Sequence, residues 1–363
     1  MNPHAIEAAD ALQRLGDFDS LLDVRSPGEY TLDHLPRARN WWVLDDAQRA
    51  EVGTLYKQRG AFEAKRVGAA LVARNIALHL EAGASEWPRR QRVLVYCWRG
   101  GTRSAAMAHV LAQVGFAVSV VRGGYKALRA ALVSDLARLA GAQRLLILCG
   151  PTGCGKSRLL QALQARGAQV LDLEALAAHR GSVLGALPGV EQPSQKAFET
   201  AIWERLRGFD PERVAYAESE SRKIGRLQVP GTLLEAMRAS PCVLLRAADE
   251  VRVRILREDY AGVSADLPAL QQRLRALREL RGHAVVERWC EMAAAGELDA
   301  LVGELLQQHY DPSYRASMER NFPGLGSAPR VDIRAADAFA ETAARLLRDE
   351  GAGPAGALVA ADA

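Results

Sequence analysis

Short apolar runs alternate with stretches of helical periodicity along the first third of the chain. LLDV (21–24), RVLVYC (92–97) and VSVV (118–121) have strand length, while the segments around 47–83 and 103–115 carry apolar residues at helical spacing. Strands alternating with helices predict a mostly parallel sheet. GGY at 123–125 marks a turn, and KALRAALVSDLARLA continues helically to about 140. A new run, RLLILC, ends at a glycine-rich loop, and VLDL (170–173), RVAYAE (213–218) and PCVLLR (241–246) follow as strands between helices. Residues 266–310 lack strand signals and read as helical. The pattern predicts two α/β domains, over 1–138 and 144–345, the second with a helical C-terminal region. The small-residue stretch 350–363 is aperiodic and is expected to be a disordered tail.

Composition changes this picture little. A length of 363 residues suits two domains, and a net charge of +4 suits an RNA or phosphate partner without requiring one. The five cysteines (Cys97, Cys149, Cys154, Cys242, Cys290) include no C-x-x-C pair and no His/Cys cluster at metal spacing. That argues against a disulfide framework and a zinc site, and for a reducing compartment. No signal peptide and no membrane-length apolar run is legible, so a cytoplasmic protein without a membrane partner is expected.

The first candidate for chemistry is VLVYCWRGGTRSAAM. It places Cys97 at a strand end and Ser104 at a helix start, with Trp98, Arg99, Gly100, Gly101, Thr102 and Arg103 between them. Backbone N–H groups and a helix N-terminus facing the sulfur would favour the nucleophilic thiolate, and Arg99 and Arg103 can add positive charge. The alternative is an inert, buried strand-end cysteine. LLDVRSPGEYTLDHLPRARN, this loop and VVRGGYKAL together resemble the rhodanese family across about 1–130, with His34, Pro36, Ala38 and Asn40 at the places of that family's His-x-Pro-x-Ala-x-Asn pattern. Asp23, Arg25 and Glu29 read as structural. Arg103 stands six positions after Cys97, one more than in common rhodanese loops. That spacing also occurs in cysteine phosphatases, so the pocket's anion stays open: a persulfide-type sulfur or a larger phosphorus- or selenium-bearing group.

The second candidate is GPTGCGKS, which fits G-x-x-x-x-G-K-[ST] between a strand and a helix. Backbone amides of Gly150, Gly153, Cys154 and Gly155 would cradle phosphates, Lys156 would neutralise charge and Ser157 could reach Mg²⁺. The Cys154 thiol reads as filler. Asp172 in VLDLE ends one candidate strand, and Glu218 or Glu220 in VAYAESES ends another; either is a candidate to hold a metal through water. Such a loop binds a diphosphate as readily as a triphosphate, so nucleotide hydrolysis does not follow.

Further candidates are His179 and Arg180 in HRGS as phosphate or RNA ligands, and Arg222 and Lys223 in ESESRKIG as phosphate partners; a helix-end turn and a surface ion-pair cluster are the plainer readings. In LQQRLRALRELRGH (270–283), Leu270, Leu274, Leu277 and Leu280 are expected to face the core. Arg273, Arg275, Arg278 and Arg281 form a stripe that is either a solvated face or an RNA contact. Tyr310 and Asp311 before Pro312 are either functional or a helix cap.

RAEVGTLYKQRGAFEAKRVGAALVARNIA (49–77), YCWRGGTRS, GPTGCGKS, DLEALAAHRGS, ESESRKIG and QHYDPSYRASMERN together resemble the tRNA 2-selenouridine synthase family, across nearly the whole chain to about 321. The resemblance implies conversion of 2-thiouridine at the wobble position of tRNA to 2-selenouridine. It also implies an S-geranyl intermediate, geranyl diphosphate and selenophosphate as co-substrates, and a selenophosphate-supplying enzyme as a possible partner. No tightly bound cofactor is expected, with Mg²⁺ the candidate ion. Two other functions fit the same residues: a P-loop kinase or NTPase with a regulatory rhodanese-like module, and a non-catalytic tRNA-binding or sulfur-relay protein.

Overall fold

The computed structural model of the chain describes residues 2–182, 185–187, 189–260 and 266–350; from 351 on, the expected tail lies outside the described residues. Two compact units emerge, one from the chain up to Leu136 with Glu199–Glu204, the other from Ala137–Phe198 and the chain from Arg205 onward.

The first unit has strands β1 (His4–Ile6), β2 (Ser20–Asp23), β3 (Arg39–Asn40), β4 (Arg92–Tyr96) and β5 (Ala117–Val121). They form one sheet in the order β1-β5-β4-β2-β3, and every pairing is parallel. Val93, Leu94, Val95 and Tyr96 are fully buried, as a strand covered on both faces requires, so β4 reads as an unbroken apolar run. Its helices are α1 (Ala8–Gln13), α2 (Pro27–Leu32), α3 (Asp46–Arg59), α4 (Ala61–Gly83), α5 (Thr102–Val114) and α6 (Gly124–Ala142). The periodic stretch 47–83 is two helices rather than one. Asp45 caps α3 by accepting from the Gln48 amide at 2.7 Å, and the chain breaks at Gly60, where φ is +88°.

The second unit has β6 (Leu145–Cys149), β7 (Gln169–Leu171), β8 (Ala215–Glu218), β9 (Lys223–Ile224), β10 (Leu227–Gln228), β11 (Cys242–Ala247) and β12 (Arg330–Ile333). Its main sheet runs β12-β11-β6-β8-β7, again all parallel, while β9 and β10 pair as a small antiparallel ribbon. Helices α7 (Lys156–Gln164), α8 (Leu173–Leu176), α9 (Gln195–Arg207), α10 (Gly231–Ala239) and α11 (Asp249–Asp259) accompany it. The helical region then comprises α12 (Leu267–Arg275), α13 (Arg278–Arg281), α14 (His283–Ala295), α15 (Leu298–Leu305), a π-turn over Leu306–Tyr310 and α16 (Asp311–Asn321), with α17 (Phe339–Glu350) after β12.

Two expectations need correction. β12 lies beyond 266–310, in the C-terminal region of the second domain that is expected to be helical as a whole; its residues alternate exposed and buried, the half-covered pattern of an edge strand, and four residues are too few to stand out. Leu270, Leu274 and Leu277 are buried, but Leu280 is 64% exposed. The chain leaves α12 at Ala276 and restarts as α13, so the phase that would have carried Leu280 inward is lost. Among the described residues no helix is long and apolar enough to cross a membrane.

Candidate functional site: a cysteine loop and a phosphate loop

In the first unit, Cys97 follows β4, which lies between β5 and β2, so the loop leaves the middle of the sheet. The Cys97 sulfur receives the Gly101 amide at 3.3 Å and lies 3.2 Å from the Ser104 hydroxyl. Burial pushes the thiol up, but Ser104, through hydroxyl and amide, and the amides of Arg99 and Gly101 outweigh it and bring the pKa below the ordinary value. Backbone at the start of α5 therefore does what the sequence anticipates. Ser104 was expected only as the start of the helix, and its hydroxyl reaches the sulfur from one turn inside it.

The arginines act differently from expectation. Arg103 donates to Glu29 Oε2 at 3.0 Å, so its charge is engaged by a carboxylate instead of being aimed at the sulfur. Arg99 is exposed and contributes its backbone amide. Glu29 also accepts from the Ser26 amide at 3.1 Å as the N3 residue of the α2 capping box. One carboxylate thus fixes a helix start and the cation of the cysteine loop.

The stretch after β5 closes the loop from behind. Tyr125 N–H donates to Cys97 O at 2.7 Å and Lys126 N–H to Trp98 O at 3.1 Å, and the Trp98 and Tyr125 rings stack. A Cβ at Gly124 would stand 2.2 Å from Cys97 O, so only glycine permits this approach, which accounts for RGGY. Asp23 and Arg25 form a buried ion pair at 2.6 Å. Arg25 also donates to Asp33 O at 2.6 Å, and its guanidinium lies 3.8 Å from the Tyr125 ring centroid. Asn40 donates to the carbonyls of Asp23 and Arg25. These residues build the floor on which the loop rests.

In the second unit the phosphate loop joins β6 to α7. Lys156 Nζ donates to Gly150 O at 2.9 Å and lies 4.9 Å from the Tyr314 ring centroid. Burial would depress the ammonium, but Tyr314, Cys154, Glu174 and Glu218 hold its pKa above the ordinary value, so it is a cation at any working pH. The Cys154 side chain packs into the sheet-helix core as expected. Arg252, 4% exposed, donates to Thr152 O at 2.9 Å and pairs with Asp311 at 2.5 Å. Asp311 thereby braces the loop through Arg252. Tyr314 bonds the Ser219 hydroxyl at 3.0 Å. The QHYDPSYR segment therefore supports the phosphate loop, a role no local pattern announces.

Ser157 lies 3.2 Å from Glu174 Oε2 and 3.3 Å from Glu218 Oε2. One oxygen each of Glu174, Glu218 and Glu220 lies within 4.8 Å of the other two. Burial pushes the Glu218 carboxyl well above the usual range, and Glu174, Asp172 and Glu220 add to the effect. Burial and Glu174 bring Glu220 up to about 8, while burial raises Glu174 against the pull of Lys156. Three hard oxygen donors beside a hydroxyl are a donor set suited to a divalent cation. Glu174 was not foreseen, because the run DLEAL looks like an ordinary helix start. Asp172 instead caps α8, accepting from the Ala175 amide at 2.8 Å.

The HRGS turn adjoins the acidic cluster, for a Cβ at Gly181 would stand 2.5 Å from Glu174 Oε1. His179 is buried. Arg180 pairs with Asp259 at 3.7 Å and lies over the Tyr260 ring. Arg222 and Lys223 are exposed at the β9–β10 ribbon. Of the arginine stripe, Arg273 donates to Ala186 O at 2.8 Å and Arg278 pairs with Glu287. Arg281 binds His309 Nδ1 at 2.9 Å and His309 O at 3.0 Å. Arg275 is exposed. Most of the stripe is thus tied to the protein itself.

A parallel sheet ending in a loop whose hydroxyl and amides face a cysteine sulfur, and another ending in a phosphate loop beside acidic residues, define a rhodanese-like unit and a P-loop unit on one chain. A rhodanese-like domain model matches residues 7–131, and a model described as the tRNA 2-selenouridine synthase AAA domain matches residues 143–273. The chain is 36% identical to a tRNA 2-selenouridine synthase of Nitrosomonas europaea over 66% of this chain and 63% of that protein. It is 31% identical to one of Bdellovibrio bacteriovorus over 83% and 89%. Among solved structures, a rhodanese-related protein from Thermoplasma volcanium is 21% identical, over 34% of this chain and 89% of that one, with a TM-score of 0.23. The chain belongs to the tRNA 2-selenouridine synthase family.

Proposed function

We propose that the protein replaces the sulfur of 2-thiouridine in tRNA by selenium in two steps, alkylation and exchange, each served by one of the two loops. The pairing of a thiolate-stabilising loop with a phosphate loop on one chain of this family is the observation that carries the reading. In the first step the thiocarbonyl sulfur attacks C1 of geranyl diphosphate; the S–C bond forms as the C–O bond breaks and diphosphate departs. Lys156, permanently charged, and the loop amides stabilise the growing charge on the leaving group, an effect typically worth about 3–4 kcal/mol. Ser157, Glu174, Glu218 and Glu220 are the residues that would hold Mg²⁺, which when bound supplies further neutralisation of the diphosphate.

In the second step the selenium of selenophosphate attacks C2 of the base as the C–S bond breaks and the geranyl chain leaves as its thiol; water then cleaves the Se–P bond, releasing phosphate and leaving 2-selenouridine. Cys97, a buried thiol with a lowered pKa, serves this chalcogen exchange, either on the selenium side or by handling the departing thiol. Incubation of the full-length protein with 2-thiouridine tRNA, geranyl diphosphate and selenophosphate, followed by mass spectrometry of the nucleosides, tests the reading. S-geranyl-2-thiouridine followed by 2-selenouridine is expected; unaltered 2-thiouridine contradicts it.

Glu218, at the end of the strand beside β6, stands where a nucleotide-hydrolysing P-loop protein carries an acidic group, which favours ATP or GTP as a second reading of the loop. Competition separates the two. In the main reading geranyl diphosphate displaces labelled inorganic diphosphate and ATP is not turned over.

A further inference from the structure

A largely apolar cavity opens against the phosphate loop. Thr152 of the loop forms one part of its wall, and Leu256, Leu270, Leu298, Val302 and Tyr310 are among the side chains that form the rest. Seven of the lining residues are aliphatic. The link to the phosphate loop is direct: a Cβ at Gly153 would stand 3.0 Å from Leu256 Cδ1, so this leucine packs on the loop backbone while also facing the cavity. Among the described residues the one cation that lines the cavity, Arg257, is engaged by Asp299.

Leu256, Leu298 and Val302 stay only half-buried at the edge of a helical core in which Leu274, Leu277 and Trp289 are fully covered. A leucine-lined space left open beside an anion-binding loop matches a ligand with a charged head and a hydrocarbon tail. A nucleoside fits it poorly, because ring nitrogens and ribose hydroxyls would lie against leucine side chains with few polar partners, at a cost of roughly 1–3 kcal/mol each.

We infer that this cavity holds the hydrocarbon chain of a prenyl diphosphate whose phosphates lie in the Gly150–Ser157 loop, and that its depth sets the chain length accepted. The inference rests on the reading of that loop as a prenyl diphosphate site. Each isoprene unit that leaves water for the leucine wall adds to affinity, at about 0.8 kcal/mol per fully buried methylene.

Calorimetric titration of the full-length protein with inorganic diphosphate, dimethylallyl diphosphate and geranyl diphosphate tests it, in the wild type and in Val302→Trp and Leu298→Trp. In the wild type the affinity is expected to rise along that series, by roughly 30-fold or more per isoprene unit. The bulky variants reduce the geranyl advantage to a few-fold and leave inorganic diphosphate within about twofold of wild type, the scale of the thermal energy. A wild-type affinity independent of chain length overturns the cavity assignment, and so does failure of both variants to lose geranyl diphosphate selectively. Selective loss in either variant supports it. Lys156→Ala separates the two claims: unchanged binding of inorganic diphosphate to that variant defeats the reading of the phosphate loop, whereas chain-length indifference with a Lys156-dependent diphosphate defeats only the cavity.

Discussion

The cysteine loop and the phosphate loop are built alike and charged differently. Each leaves the carboxyl end of an inner strand of a parallel sheet and feeds a helix, so each presents backbone amides at a helix N-terminus. Around Cys97 the charges are already matched: Arg103 meets Glu29, Arg25 meets Asp23, and the amides meet the sulfur. Around Lys156 they are not. Three carboxyl groups crowd one hydroxyl and one ammonium, and their raised pKa values record the mutual repulsion and the burial. The charges of the first loop are matched within the protein; those of the second would be matched by a cation and a phosphate. The proposed division of labour asks for this difference, with a nucleophile at the first loop and an anionic leaving group at the second.

The largest consequence is a pH dependence of opposite sign. Glu220 titrates at about 8 in the folded protein, against an ordinary carboxyl value of 4.5. Between those values the folded state keeps a proton that the unfolded state has given up, so stability is full at low pH and falls as pH rises. The slope is about 1.4 kcal/mol per pH unit for one retained proton. In EDTA the thermal midpoint of the P-loop unit should therefore drop from pH 5 to pH 8, and Mg²⁺ should flatten the curve. Cys97 works the other way. Its lowered pKa makes a contribution that is present at alkaline pH and lost as pH falls through the folded value. A metal-independent pH profile would remove the contrast between the loops.

A smaller effect sharpens the account of the thiol. Ser104→Ala removes a hydroxyl 3.2 Å from the sulfur while leaving the loop amides in place. The thiolate should become scarcer, and alkylation of Cys97 by iodoacetamide at neutral pH should slow by roughly tenfold, the scale of one hydrogen bond to a charged group. An unchanged rate would assign the thiolate to the backbone alone.

The arginine stripe offers the weakest signal. Arg281 is spent on His309 and Ser313, so Arg281→Ala should cost about 1–3 kcal/mol in stability with no change in the salt dependence of tRNA binding. Arg275 is exposed, and Arg275→Ala should reduce the slope of log affinity against log salt by about one if it touches a phosphate. Filter binding over a salt series reads both.

The sequence shows the two loops and the strands that lead into them because these features are local. An apolar run before C-x-x-G-G or G-x-x-x-x-G-K-S places Cys97 and Lys156 without any knowledge of the fold. What completes each site is distant in the chain. Glu29 lies 74 residues from Arg103, Glu218 lies 61 from Ser157, and Asp311 lies 59 from Arg252. No periodicity predicts such pairs; only the sheet order brings the strand end of β8 beside β6. β12 and the break before Leu280 escaped for a related reason, since an edge strand of four residues and a shift of helical phase are settled by packing.

The central claim is that the two loops serve different steps, and a two-step assay of the wild type, Lys156→Ala and Cys97→Ser tests it most directly. S-geranylation of 2-thiouridine tRNA is scored in one reaction, and selenation of already geranylated tRNA in another. Lys156→Ala should slow the first step by roughly a hundredfold or more and affect the second far less. Cys97→Ser should abolish selenium incorporation with geranylation and tRNA binding near wild type. Normal geranylation by Lys156→Ala, or 2-selenouridine formed at the wild-type rate by Cys97→Ser, would contradict the division of labour between the loops.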